Sequence, residues 1–121
     1  MNRIGDDGAI ELAEALRKNT VLKSLYLCES GIAYKGAKAL AGALKTNTTL
    51  TSLDLESNVI GDDGAIELAE ALRKNTVLKS LYLCSSGIGY KGANALAEAL
   101  EENKTLTELE LSLLGGYQRR S

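Results

Sequence analysis

The stretch from Ile4 to Cys28, IGDDGAIELAEALRKNTVLKSLYLC, recurs letter for letter as Ile60 to Cys84. The copies are offset by 56 residues and a looser version of the same text lies midway, so the period is 28 residues. Four units follow from it, 4–31, 32–59, 60–87 and 88–115, with a tail at 116–121. Met1 to Arg3 reads as the remnant of a preceding unit, because Asn2-Arg3-Ile4 matches Asn58-Val59-Ile60. A fixed period of this size makes a stacked array the first hypothesis, since one such unit cannot bury its apolar face alone. The 121 residues are therefore expected to form one repeat domain.

Within the first unit Ala9, Leu12, Ala13 and Leu16 fall at helical spacing, with Glu11, Glu14, Arg17 and Lys18 opposite them. Asp6 and Asp7 sit where carboxylates favour the positive end of the helix dipole. Asn19 is placed to stop the helix in a left-handed conformation, as are Asn47, Asn75 and Asn103 in their units. Leu25 and Leu27 then alternate as in a short strand, matched by Leu53 and Leu55, Leu81 and Leu83, and Leu109 and Leu111. One strand and one helix per unit force successive strands to run parallel with all helices on one face. A strand occupies about 4.8 Å along the stack and a helix about 8 to 10 Å, so the array should curve with its strands inside. The expected fold is an α/β solenoid, a curved right-handed β-α superhelix with a parallel inner sheet of about four strands and helices on the convex side. Ala15, Ala43, Ala71 and Ala99 are expected to let neighbouring helices approach closely.

The L-x-x-L-x-L-x-x-N frame from Leu50 to Asn58, the 28-residue period and the G-A-x-x-L-A-x-A-L helix (Gly36 to Leu44, Gly92 to Leu100) resemble leucine-rich repeats of the ribonuclease-inhibitor-like type. The resemblance implies that the asparagine closing the frame hydrogen-bonds the turns of adjacent units. Asn2 and Asn58 fit that role, Ser30 and Ser86 replace it, and Leu114 abandons it. It also implies a protein that binds other proteins, although a fold does not fix a function.

The composition removes several other classes. A net charge of -2 with no long Lys/Arg stripe gives no reason to expect nucleic acid as a partner. No apolar run is long enough to span a bilayer and MNRIGDDG does not read as a secretory signal, so the expected setting is the cytoplasm, with no membrane partner. The absence of histidine removes imidazole mechanisms, and the helix glutamates read as solvated, so no enzyme activity and no catalytic residue is expected. Gly87-Ile88-Gly89-Tyr90-Lys91-Gly92 satisfies G-x-G-x-x-G, but Gly92 repeats Gly8, Gly36 and Gly64, so the repeat explains it better than a dinucleotide cofactor. The Gly-Asp-Asp-Gly segments lack the ligands of a calcium loop. The glycosylation-type triplets at Asn47 and Asn103 read more simply as helix-stop asparagines. Cys28 and Cys84 lie two units apart, roughly 10 Å at strand spacing, too far for a disulfide, and without histidine a zinc site is not expected. No cofactor and no metal is therefore anticipated.

The inner sheet face is the candidate binding surface. Alternation points Ser24, Tyr26 and Cys28 away from the core, then Ser52, Asp54 and Glu56, then Ser80, Tyr82 and Cys84, then Glu108, Glu110 and Ser112. Tyrosine is a frequent interface anchor, and the surrounding carboxylates would favour a basic protein partner. The ends of the stack are a second candidate. Unit one is nearly indistinguishable from unit three, and the other end offers Leu113, Leu114 and Tyr117, so homo-oligomerisation through uncapped ends is expected. Duplication without drift also admits an alternative origin, an engineered or excised idealised scaffold with no natural ligand that associates through those ends.

Overall fold

The computed structural model describes residues 4–113 and 116–120. Along the chain it places α1 (Gly5–Lys18), β1 (Ser24–Tyr26), α2 (Tyr34–Leu44), β2 (Ser52–Asp54), α3 (Gly61–Lys74), β3 (Ser80–Ile88), α4 (Tyr90–Glu102), β4 (Glu108–Leu113) and β5 (Gly116–Arg120). Strands β1 to β4 lie parallel in chain order, and each helix packs against the next. This is the leucine-rich-repeat architecture of four parallel strands and four helices. The register keeps equivalent residues side by side: Leu25 beside Leu53, Leu53 beside Leu81, and Leu81 beside Leu109.

That register stacks the leucines into a continuous core. Leu50, Leu53, Leu55, Leu78, Leu81 and Leu83 are all fully buried, each contributing about 1.5 to 3 kcal/mol relative to exposure. In the first unit the same positions have a neighbour on one side only: Leu22 is 38% exposed where Leu50 and Leu78 are 0%. Ala15 is likewise exposed, whereas Ala43, Ala71 and Ala99 are buried against adjoining helices.

The asparagines that follow the helices do not take the left-handed conformation expected of them. Asn19, Asn75 and Asn103 are extended, with φ near -80° and ψ between 126° and 134°. Their side chains do the work instead. The Asn75 Oδ1 accepts from the Val77 and Leu78 amides at 2.8 and 2.7 Å, while its Nδ2 donates to the Leu44 carbonyl of the preceding unit at 2.8 Å. Asn47 and Asn103 repeat the pattern toward Leu16 and Leu72. These residues therefore link units, and a buried, doubly committed amide leaves no room for a sugar at Asn47 or Asn103.

Asn58 forms a second inter-unit bridge at the strand ends. It donates to the Leu27 and Leu55 carbonyls and accepts from the Ser30 and Ile32 amides. Where Ser86 replaces it, one hydroxyl still donates back to the Leu55 carbonyl at 3.1 Å, so the link persists with fewer bonds.

Asp6 and Asp62 also act between units and not only on their own helix dipoles. Asp6 Oδ1 accepts from the Ala33 and Gly36 amides at 2.8 and 2.9 Å, capping the start of α2 from the neighbouring unit. Asp62 Oδ1 caps α4 through the Gly89 and Gly92 amides, both at 2.8 Å. Helices α2 and α4 have no side-chain cap of their own, so these aspartates satisfy amides that their own units leave open. Glycine is required beneath the carboxylate: a Cβ on Gly92 would stand 2.8 Å from Asp62 Oδ1 and 2.9 Å from the Ala65 Cβ. The same contact disposes of the dinucleotide motif, because two amides that would cradle a phosphate are already held by this aspartate.

The C-terminal end departs from the uncapped sheet edge expected above. Strand β5 pairs antiparallel with β4, Leu113 opposite Gly116 and Ser112 opposite Tyr117, so the polar edge of β4 is satisfied by the chain itself. Leu113 and Tyr117 are thus ladder residues and not the ends of an open edge, and Leu114 lies outside the described residues.

Candidate functional site

The concave sheet surface carries three rows of side chains, each running across the strands at one register position. Ser24, Ser52, Ser80 and Glu108 form the first, and Tyr26, Asp54, Tyr82 and Glu110 the second. Cys28, Glu56, Cys84 and Ser112 form the third. All alternate with leucines of the core, which are buried except for the half-buried Leu25 on the first strand. The structure therefore brings every concave-face residue expected from the sequence onto one surface.

The two tyrosines are not equivalent despite identical flanking text. Tyr26 is 68% exposed, with Ser52 and Asp54 on the next strand. Tyr82 is half-buried and donates its hydroxyl to Glu108 Oε1 at 2.8 Å, because the fourth unit supplies a glutamate where the second has Ser52. One ring is thus open to a partner and the other is oriented by a carboxylate.

The cysteines are free thiols set among acids. Ligand atoms of Cys28, Asp54 and Glu56 all lie within 4.8 Å of one another, and so do those of Glu56, Cys84 and Glu110. Among the described residues these two groups, sharing Glu56, are the ones that could hold a metal ion, with one thiol and two carboxylates each. Partial removal from water, a hydrogen bond to Asp54 and the charges of Asp54 and Glu56 push the Cys28 thiol from its usual 9 up to about 11. Cys84 is raised by partial burial and by Glu56 and Glu110. Glu56 itself is raised, first by partial burial and then by Asp54. Each shift combines partial burial, the larger cause, with the negative potential of the neighbouring acids, which also attracts cations and basic groups.

Sequence reasoning about the concave face passed over the helical side. Arg17, Lys35, Lys38 and Lys45 converge there on a groove of about 360 Å³ whose floor includes Ile10 and Ala39. The signal was present as the loss of acids from the helix of the second unit, where Gly42 stands in place of Glu14, Glu70 and Glu98.

Among the described residues no helix is long and apolar enough to cross a membrane. The register-locked sheet, its stacked leucines and its asparagine ladders define a leucine-rich-repeat protein. Residues 74–97 match a leucine-rich repeat model, and residues 1–83, more than half of the chain, match the TMOD/LMOD leucine-rich domain. The chain belongs to that TMOD/LMOD family, whose leucine-rich domains are non-catalytic binding domains.

Among solved structures, the one titled Leiomodin-1 Actin-Binding Site 2 (ABS2) is similar at 31% identity with a TM-score of 0.85, covering 93% of this chain and 69% of that one. The tropomodulin C-terminal domain of Caenorhabditis elegans shares the fold at 18% identity and a TM-score of 0.76, covering 85% of this chain and 64% of that one. This chain thus spans about two thirds of either relative. No curated protein matches it significantly.

Proposed function

We propose that this chain is a non-enzymatic protein-binding module of the cytoskeletal kind, taking an actin-type partner on its concave face. Membership of the TMOD/LMOD family, with the 31% identity to a leiomodin segment named for actin binding, is the observation that carries the choice of partner class. The choice of face is supported by its composition. An exposed Tyr26 and an oriented Tyr82 alternate with Asp54 and Glu110 along one row, giving aromatic anchors spaced by acids. Such a row suits a partner element that presents basic side chains between apolar ones, and Cys28, Glu56, Cys84, Ser24 and Glu108 would form its surroundings.

The test is co-sedimentation with filamentous actin and pull-down of monomeric actin, using the intact chain and a Tyr26→Ala/Tyr82→Ala variant. Binding by the parent that falls at least about tenfold in the variant supports both parts of the reading. Undiminished binding by the variant would move the site off the concave face while leaving the partner class standing. A parent that binds neither form of actin would overturn the partner class.

A further inference from the structure

The units of this chain alternate in type, so the helical face contains the same junction twice, once between α1 and α2 and once between α3 and α4. At the second junction Arg73 pairs with Glu98 through Nη2 at 3.9 Å and with Glu102 through Nη1. These glutamates are four residues apart, on one face of α4. At the first junction the equivalent arginine is Arg17, but the positions of Glu98 and Glu102 are taken by Gly42 and Thr46. Among the described residues Arg17 has no ion-pair partner.

We propose that the groove between α1 and α2 is a docking site for an acidic helical segment of a partner protein that presents two carboxylates four residues apart. The sister junction displays this ligand in place, supplied there by the chain itself. The guanidinium at the first junction already lies where that ligand would sit: Arg17 Nη2 is 2.8 Å from where a Gly42 Cβ would stand, over bare helix backbone. Lys35, Lys38 and Lys45 line the same groove. From Tyr34 to Lys45 the chain carries those three lysines and no acid, whereas α4 carries Lys91 against Glu98, Glu101 and Glu102. One carboxylate, Glu67, reaches the groove, and it accepts a hydrogen bond from the Tyr34 hydroxyl at 3.3 Å. Ile10, 37% exposed, and Ala39 offer an apolar strip on which a helix can lie between the charges. Charge complementarity and the self-supplied ligand at the sister junction therefore select the same occupant. This inference stands apart from the concave-face reading, since the two surfaces lie on opposite sides of the sheet.

The experiment measures anisotropy of a labelled, alanine-rich helical peptide bearing one Glu pair four residues apart, with its Gln-for-Glu counterpart as control. The intact chain should bind the Glu peptide and lose it as salt rises. Gly42→Glu, which supplies the sister junction's carboxylate, and Arg17→Gln should each weaken binding at least about fivefold. Arg73→Gln should leave it unchanged. Circular dichroism melts accompany each variant, and Gly42→Glu is compatible with a helical backbone, so loss of binding there is not loss of fold. Equal binding of the Gln peptide, an unaffected Gly42→Glu variant, an equal loss in Arg73→Gln, or tighter binding of inorganic polyphosphate than of the Glu peptide would each overturn the proposal.

Discussion

Asn19 and Asn75 occupy the same position in identical sequence, so replacing each by alanine isolates what the neighbouring unit contributes. Asn75 is 4% exposed. Removing its side chain orphans the buried Leu78 amide and the buried Leu44 carbonyl, besides the partly buried Val77 amide. At about 1 to 3 kcal/mol for each buried group left unsatisfied, Asn75→Ala should cost about 3 to 4 kcal/mol. Asn19 makes the same two acceptor contacts, to Val21 at 2.8 Å and Leu22 at 2.6 Å, but both are exposed and water can replace them. Asn19→Ala should therefore cost about 1 kcal/mol. Equilibrium urea unfolding followed by circular dichroism would measure both, comparing midpoints at a shared slope. Losses equal to within about 0.5 kcal/mol would refute the claim that the asparagine acts mainly between units.

Asp62→Ala should lower stability by about 1 kcal/mol by uncapping α4, whereas Asp63→Ala, at an exposed site, should fall within about 0.5 kcal/mol of the parent; the same urea series separates them. Gly42→Glu should raise the melting temperature, since glycine in a helix interior costs about 1 kcal/mol and Arg17 can shift to receive the carboxylate; a lower melting temperature would mean that the guanidinium cannot yield. The Cys28 thiol, at about 11 against a usual 9, should be alkylated by iodoacetamide at pH 8 about a hundredfold more slowly than an ordinary thiol. Because the group is held protonated, its rate should climb with pH until about 11, and Asp54→Asn should accelerate it; a plateau near pH 9 would contradict the assignment. Acidification should weaken a basic partner on the concave face, because Glu56 takes up its proton at a higher pH than an ordinary glutamate; a binding constant flat between pH 7 and about 4 would speak against carboxylate attraction there.

The repeat period, the parallel order of the strands and the inward leucines were legible in the sequence because they follow from local rules. Alternation sets which side chains of a strand face the core, and a strict period sets the register once units stack. The concave rows from Ser24 to Ser112 could be written out for the same reason. What the text of one unit could not contain was action at a distance of one unit. Asn19, Asn75 and Asn103 read locally as left-handed helix stops, yet all three are extended, and Asn75 and Asn103 reach carbonyls 31 residues away. Asp6 read as a residue of its own helix, yet it caps the next one through a contact that exists only after the units meet. The closing of the sheet edge by β5 and the difference between Tyr26 and Tyr82 are likewise tertiary, since identical sequence diverges only through what the adjoining strand supplies. Periodicity specified the stack, and the contacts between unlike neighbours decided what each copy of the same residue does.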